Sequence, residues 1–146
     1  MRIRLLAASI GFATAIVNAA NAAEPNTVAS GAYNAIQAAR GNAVYTQHCE
    51  ACHGVAMKGA DAPPLTGVDF RAAWIGATVG DMFERIRNTM PATDPKSLSA
   101  QQYADLIAAI LAANGYPAGA AELPAAIEQL RQRRIPPSPS SPSTSR

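Results

Sequence analysis

The 146-residue chain contains only two cysteines, and no run in it alternates apolar with polar side chains as a half-buried strand does. The second absence excludes a sheet-based domain and leaves an all-α fold. The first excludes a disulfide framework, because Cys49 and Cys52 stand three positions apart and a bridge closing so short a loop adds little chain-entropy stabilisation. No apolar run reaches the ~20 residues that a membrane-spanning helix requires. The uncharged run over 5–17 follows Arg2 and Arg4 and precedes the small residues Ala20-Asn21-Ala22. That order predicts a cleaved export signal over 1–22, a periplasmic destination and no stable membrane insertion. No cysteine stands near the cleavage site to carry a lipid anchor. An excess of positive charge is also missing where it would count. Residues 23–124 hold six basic and nine acidic side chains, so the formal net charge of +2 belongs to the chain ends and gives no support to nucleic-acid binding.

What is present organises itself into helices. Residues 23–34 are polar and unpatterned and are expected to form a loose N-terminal arm. The alanine-rich stretch that follows predicts a helix from Ala35 to His48, interrupted by Gly41. Glycine inside a helix costs ~1 kcal/mol relative to alanine, which is easier to understand if another helix crosses closely there. After His53, glycines 54, 59 and 67 and prolines 63 and 64 predict a long irregular segment, of the kind that usually binds something. Thr78-Val79-Gly80-Asp81 begins the next helix with a capping-box pattern, Val79, Met82, Phe83 and Ile86 form its apolar face, and Pro91 ends it. Ser99-Ala100-Gln101-Gln102 repeats the start, Tyr103, Leu106, Ile107, Ile110 and Leu111 repeat the face, and Asn114-Gly115 supplies the stop. The main domain is read as 35–123. A short C-terminal helix carrying Ile127 and Leu130 is expected within 124–135, and a disordered Pro/Ser-rich tail over 136–146. Arg131, Arg133 and Arg134 read as a solvated tail or a tether.

The chemistry is concentrated in Cys49-Glu50-Ala51-Cys52-His53. A C-x-x-C pair alone is compatible with thioredoxin-like exchange or with half a zinc site. The first needs an α/β setting that is absent here. The second needs four ligands, and the one further candidate, His48, is read as a solvent-facing helix residue. A histidine directly after the second cysteine matches the spacing of covalent haem attachment. Two intervening residues let both sulfurs reach the vinyl groups on one porphyrin edge from a single helical turn, with His53 beneath the iron as an axial ligand. The expected cofactor is one haem c with its iron.

The sixth iron position then decides the chemistry. Met57, four residues past His53, is too near to reach the opposite face, and Met82 falls on an apolar helix stripe and is read as core. Met90 stands 37 residues after His53 and directly before Pro91. As a bare pattern it reads as packing; opposite an attached haem it is the expected sixth ligand. A thioether favours Fe(II), raises the potential and closes the iron to oxygen and peroxide.

These segments together resemble the class I mono-haem cytochrome c family, most nearly the cytochrome domains and partners of pyrroloquinoline-quinone alcohol dehydrogenases. The resemblance spans about residues 38–123. It rests on the attachment motif with Gly54, on Pro63-Pro64-Leu65-Thr66-Gly67, on Thr89-Met90-Pro91, and on Leu98-Ser99 through Asn114-Gly115-Tyr116-Pro117. It implies a small class I cytochrome c-like fold of four to five helices wrapped around one covalently attached haem. It also implies that the Pro63 carbonyl accepts the Nδ1–H of His53, fixing the tautomer, and that Leu65 packs on the ring. Ala62 stands where the family carries glycine. The N- and C-terminal helices of such a fold cross, which pairs Gly41 and Tyr45 with the face of Tyr103, Leu106 and Ile107. Trp74 either donates its indole N–H to a haem propionate or is a rim aromatic.

The function expected from this reading is a non-enzymatic periplasmic electron carrier. It takes electrons from a donor dehydrogenase, with a quinoprotein alcohol dehydrogenase as the specific candidate, and passes them to another cytochrome or an oxidase. The competing readings are a haem sensor or peroxidase-like enzyme with an open sixth site, and an obligate cytochrome subunit of a larger oxidoreductase. A buried porphyrin adds several hundred Å² of apolar surface at ~25 cal/mol per Å² to a thin core, so the apoprotein is expected to be largely unfolded.

Overall fold

Asn34 opens the first helix, its side chain accepting the N–H of Gln37 at 2.8 Å, and α1 then runs over Ala35–His48. The computed structural model describes residues 27–137. A kink at Cys49 separates α1 from the single turn α2, Glu50–His53. There follow α3 (Val68–Trp74), α4 (Val79–Thr89), α5 (Ala100–Ala113) and α6 (Ile127–Leu130), with 3-10 turns at Val28–Ser30 and Val55–Met57. Among the described residues there is no strand, and the fold is all-α. None of their helices is long and apolar enough to cross a membrane.

The centre of the fold is the crossing of α1 on α5. A Cβ at Gly41 would overlap the carbonyl of Asp105 and press on the side chain of Ala109, so the glycine is required by the close approach of the two backbones. Arg40 fastens the crossing: its guanidinium donates to both oxygens of Asp105, at 2.9 and 3.0 Å, and to Glu122 at 2.9 Å. The expected pairing of Gly41 and Tyr45 with Tyr103, Leu106 and Ile107 needs correction. Only Leu106 of the three joins Tyr45, in a cluster completed by Met57, Ala109 and Ile110. At about 100° per residue, positions 105, 106, 109 and 110 form one stripe, and 103, 107 and 111 form the next. That second stripe faces Met82 and Phe83 of α4, with the rings of Phe83 and Tyr103 edge-to-face at 5.9 Å.

Both predicted capping boxes form. Thr78 and Asp81 exchange hydrogen bonds at the start of α4, and Ser99 and Gln102 do so at the start of α5. The segment expected to be irregular after His53 nevertheless contains α3. It buries no residue fully and has no side-chain cap, so no start signal marks it in the sequence and its periodicity is confined to one pair of aromatics.

The chain ends are better held than the sequence predicts. In place of a loose arm, Val28, Ala32 and Tyr33 are buried, and the Tyr33 hydroxyl donates to the Tyr116 carbonyl at 2.5 Å. In place of a solvated arginine tail, residues 131–137 form a clasp. Val28 N–H donates to Arg134 O (3.0 Å), Val79 N–H to Arg133 O (2.8 Å), Ile135 N–H to Ala77 O (2.9 Å) and Gly76 N–H to Ile135 O (3.0 Å). Leu130 and Ile135 are buried beneath it, and Arg131 pairs with Glu84 at 2.8 Å. A few apolar side chains, distant in sequence, suffice because they meet each other. The expected signal over 1–22, residues 23–26 of the expected arm and residues 138–146 of the expected tail lie outside the described residues.

Candidate functional site

Local backbone chemistry places both cysteines and His53 on one turn. The Cys49 carbonyl accepts N–H bonds from Cys52 at 3.1 Å and His53 at 2.9 Å. Gly54 ends the turn at φ 76°, ψ 165°, a conformation open to glycine, and a Cβ there would collide with the Gly59 carbonyl. The chain then folds back on the turn: Gly59 N–H donates to His53 O at 2.7 Å and Ala62 N–H to Cys52 O at 2.9 Å. This brings the Pro63 carbonyl to 2.7 Å from Nδ1 of His53, as the resemblance implies. A carbonyl can only accept, so the ring proton sits on Nδ1 and Nε2 keeps its lone pair. The imidazole is otherwise buried.

Above this turn lies a cavity of about 900 Å³. Cys49, Cys52, His53, Pro63, Leu65, Trp74 and Met90 all border it, from α2, the 59–65 segment, α3 and the end of α4. The backbone of Met90 is pinned on both sides: its N–H donates to Ile86 O at 2.8 Å, and its carbonyl accepts the Tyr103 hydroxyl at 2.9 Å. Cys49 is half-buried and Cys52 exposed. Before haem is attached, burial, then the neighbouring Cys52, pushes the Cys49 thiol up to about 11. Burial also raises the Tyr45 phenol, assisted by the nearby Cys49 and Glu50; its hydroxyl donates to Gly54 O at 2.5 Å and so braces the turn. The indole N–H of Trp74 has no acceptor among the described residues, and its ring lies 6.4 Å from that of Phe70.

The residues present fit a haem. Two thiols lie at the rim of an apolar cavity, with an imidazole whose Nε2 is free and a thioether on its wall, a donor set suited to low-spin iron. Among the described residues no group of three or more His, Cys, Asp or Glu gathers as a bare metal-ion site, which leaves the zinc alternative without ligands.

Sequence reasoning missed part of the wall. His48, expected to face solvent, is half-buried and borders the cavity. Phe70, Ile86, Leu106 and Ile110 also line it. The last three were legible only as core, since one helix stripe serves both the core and the cavity. For Phe70 a signal existed: it stands four residues before Trp74, the spacing that puts two aromatics on one face of a short helix.

The family model described as cytochrome c oxidase, cbb3-type, subunit III matches residues 36–108, half of the chain. The matched segment contains all seven residues expected at the site. No curated protein and no solved structure gave a match.

Proposed function

The chain belongs to the family described as cytochrome c oxidase, cbb3-type, subunit III, and from that premise we propose that it is a periplasmic carrier of single electrons, with its iron ligated by His53 and Met90. Membership makes it a cytochrome c with covalently bound haem, and its role is haem-based electron transfer. The two cysteines make one attachment motif and therefore allow one such group. When bound, haem c supplies a one-electron iron couple.

The observation that carries the ligand assignment is that His53 and Met90 border one cavity from separate elements. Cys49 and Cys52 supply the two sulfurs for attachment. Pro63 keeps the His53 proton on Nδ1, which leaves Nε2 as the donor and makes it more basic. Leu65, Phe70, Ile86, Leu106 and Ile110 line the cavity and would pack against the porphyrin, keeping water from its buried faces. Met90 blocks the site to small ligands, which favours a carrier over the sensor or peroxidase-like reading.

The donor proposed is a dehydrogenase, with a quinoprotein alcohol dehydrogenase as the first to try; this rests on the sequence resemblance alone. The acceptor proposed is another cytochrome or an oxidase, in keeping with the oxidase in the family's description. Export rests on the signal pattern over 1–22. The holoprotein is expected to show the weak ferric absorption band of methionine-ligated iron at the red edge of the spectrum, to exclude carbon monoxide, and to be reduced by such a dehydrogenase. Rapid carbon monoxide binding by the unmodified protein would sink the ligand assignment and favour an open-site function.

A further inference from the structure

Asn114 follows the last turn of α5, is 5% exposed, and uses both of its amide hydrogens inside the protein. One N–H donates at 2.9 Å to the carbonyl of Ile110, which also accepts the backbone N–H of Asn114 at 3.1 Å. The other donates at 2.9 Å to the carbonyl of Leu65, forty-nine residues away. Oδ1 is buried and has no partner among the described residues. Turning the amide over would be worse, since it would set Oδ1 against two carbonyls. The orientation is therefore fixed by the two acceptors, and the contact with Leu65 is the one that reaches beyond the helix.

Leu65 belongs to the segment that orients His53. Pro63 and Pro64 have no N–H, so no backbone donor can hold the chain between Ala62 and Leu65. Ala62 N–H is tied to Cys52 O, and Leu65 N–H to Met57 O at 2.9 Å. Both ties run to the turn that carries His53 and to the turn after it. Leu65 also packs on the cluster that holds Leu106 and Ile110 of α5, and the hydrogen bond from Asn114 fixes the segment's backbone to the end of that helix. Between these fixings lies the Pro63 carbonyl, 2.7 Å from Nδ1 of His53.

The structure assigns Asn114 the part of a positioning residue: it holds the 62–66 segment on α5 and thereby sets the strength of the Pro63–His53 hydrogen bond. This rests on the reading of His53 as an axial ligand. A firm Nδ1–H···O bond makes the imidazole a stronger donor and favours Fe(III); loosening it favours Fe(II).

The test uses the holoprotein. Asn114→Leu keeps the bulk and removes both donors, and Asn114→Ser is a milder loss of reach. In both, the Fe(III)/Fe(II) equilibrium should move toward Fe(II) by about threefold or more, read by voltammetry, and the His53 Nδ1 proton should exchange with solvent about tenfold faster, read by proton NMR. Asn114→Gln retains both donors and should lie nearer the parent than Asn114→Leu does. Gly115→Ala, at φ 83°, weakens the same helix end without touching the amide and should lower stability while leaving both readouts unchanged. If Asn114→Leu takes up no haem, Asn114→Ser decides. Potential and exchange that stay unchanged in the Asn114 variants, or that move as far in Gly115→Ala, would overturn the proposal. The iron-shifted ring protons of His53 in the parent separate the two readings. Their absence there defeats the ligand assignment itself, whereas their presence without a response to the Asn114 variants defeats only the role of Asn114.

Discussion

Met90 is held by its backbone from two sides, so its thioether is delivered to the cavity wall by a fixed chain rather than a mobile loop. Removing the side chain leaves that backbone in place. Met90→Ala is therefore expected to give a high-spin haem that binds carbon monoxide with covalent attachment intact; a retained low-spin, methionine-ligated spectrum would show that another residue is the ligand. Asp105 offers a second test at a single residue. Burial pushes its carboxyl up, but hydrogen bonds led by that from Arg40 outweigh it, and the net shift is downward. A carboxyl lowered by folding contributes stability that is fully present above its unfolded pKa of about 3.9 and is lost as pH falls through the lower folded value. Acid titration of the holoprotein followed by circular dichroism should show part of its loss of stability in that range, and Asp105→Asn should flatten that part of the curve. An unchanged acid limb would mean that the Arg40 cluster is electrostatically idle.

At the scale of whole helices the crossing of α1 on α5 tolerates nothing larger than glycine. Gly41→Ala adds one methyl that meets the Asp105 carbonyl, and the helices must separate to admit it. A loss of about 2–3 kcal/mol is expected from such overpacking. Thr78→Ala removes half of the capping box of α4 and should cost about 1 kcal/mol, with no change in the visible spectrum. Denaturant titration of the ferric protein measures both. The helices with caps and wide apolar faces, α4 and α5, were legible in the sequence because their signals are local. The attachment turn was legible for the same reason, as three residue types at fixed spacing. The division of the α5 face between two partners, the short helix α3 and the clasp at the ends of the described residues were not. Each is set by a partner remote in sequence: α4 for Tyr103, the cavity for Phe70 and Trp74, and Arg134 for Val28. His48 was misplaced because nothing local in the sequence marks which side of the end of α1 meets the cavity.

The molecule as a whole is arranged around a half-open apolar cavity. Haem burial completes that part of the core, at ~25 cal/mol per Å² of apolar surface removed from water. Without haem, water wets the walls formed by Leu65, Ile86, Leu106 and Ile110. The apoprotein is therefore expected to lack a cooperative thermal transition, and a sharp melt with native-like helicity in haem-free protein would refute this. The parallel bridge between Thr27 and Arg134 brings the two ends of the described chain to one place. A domain whose ends adjoin can be spliced as an insert into a surface loop of a host protein, or circularly permuted, without separating α1 from α5. Residues 27–137 are thus expected to be transferable as a redox unit into chimaeric enzymes, entered and left through a single doorway.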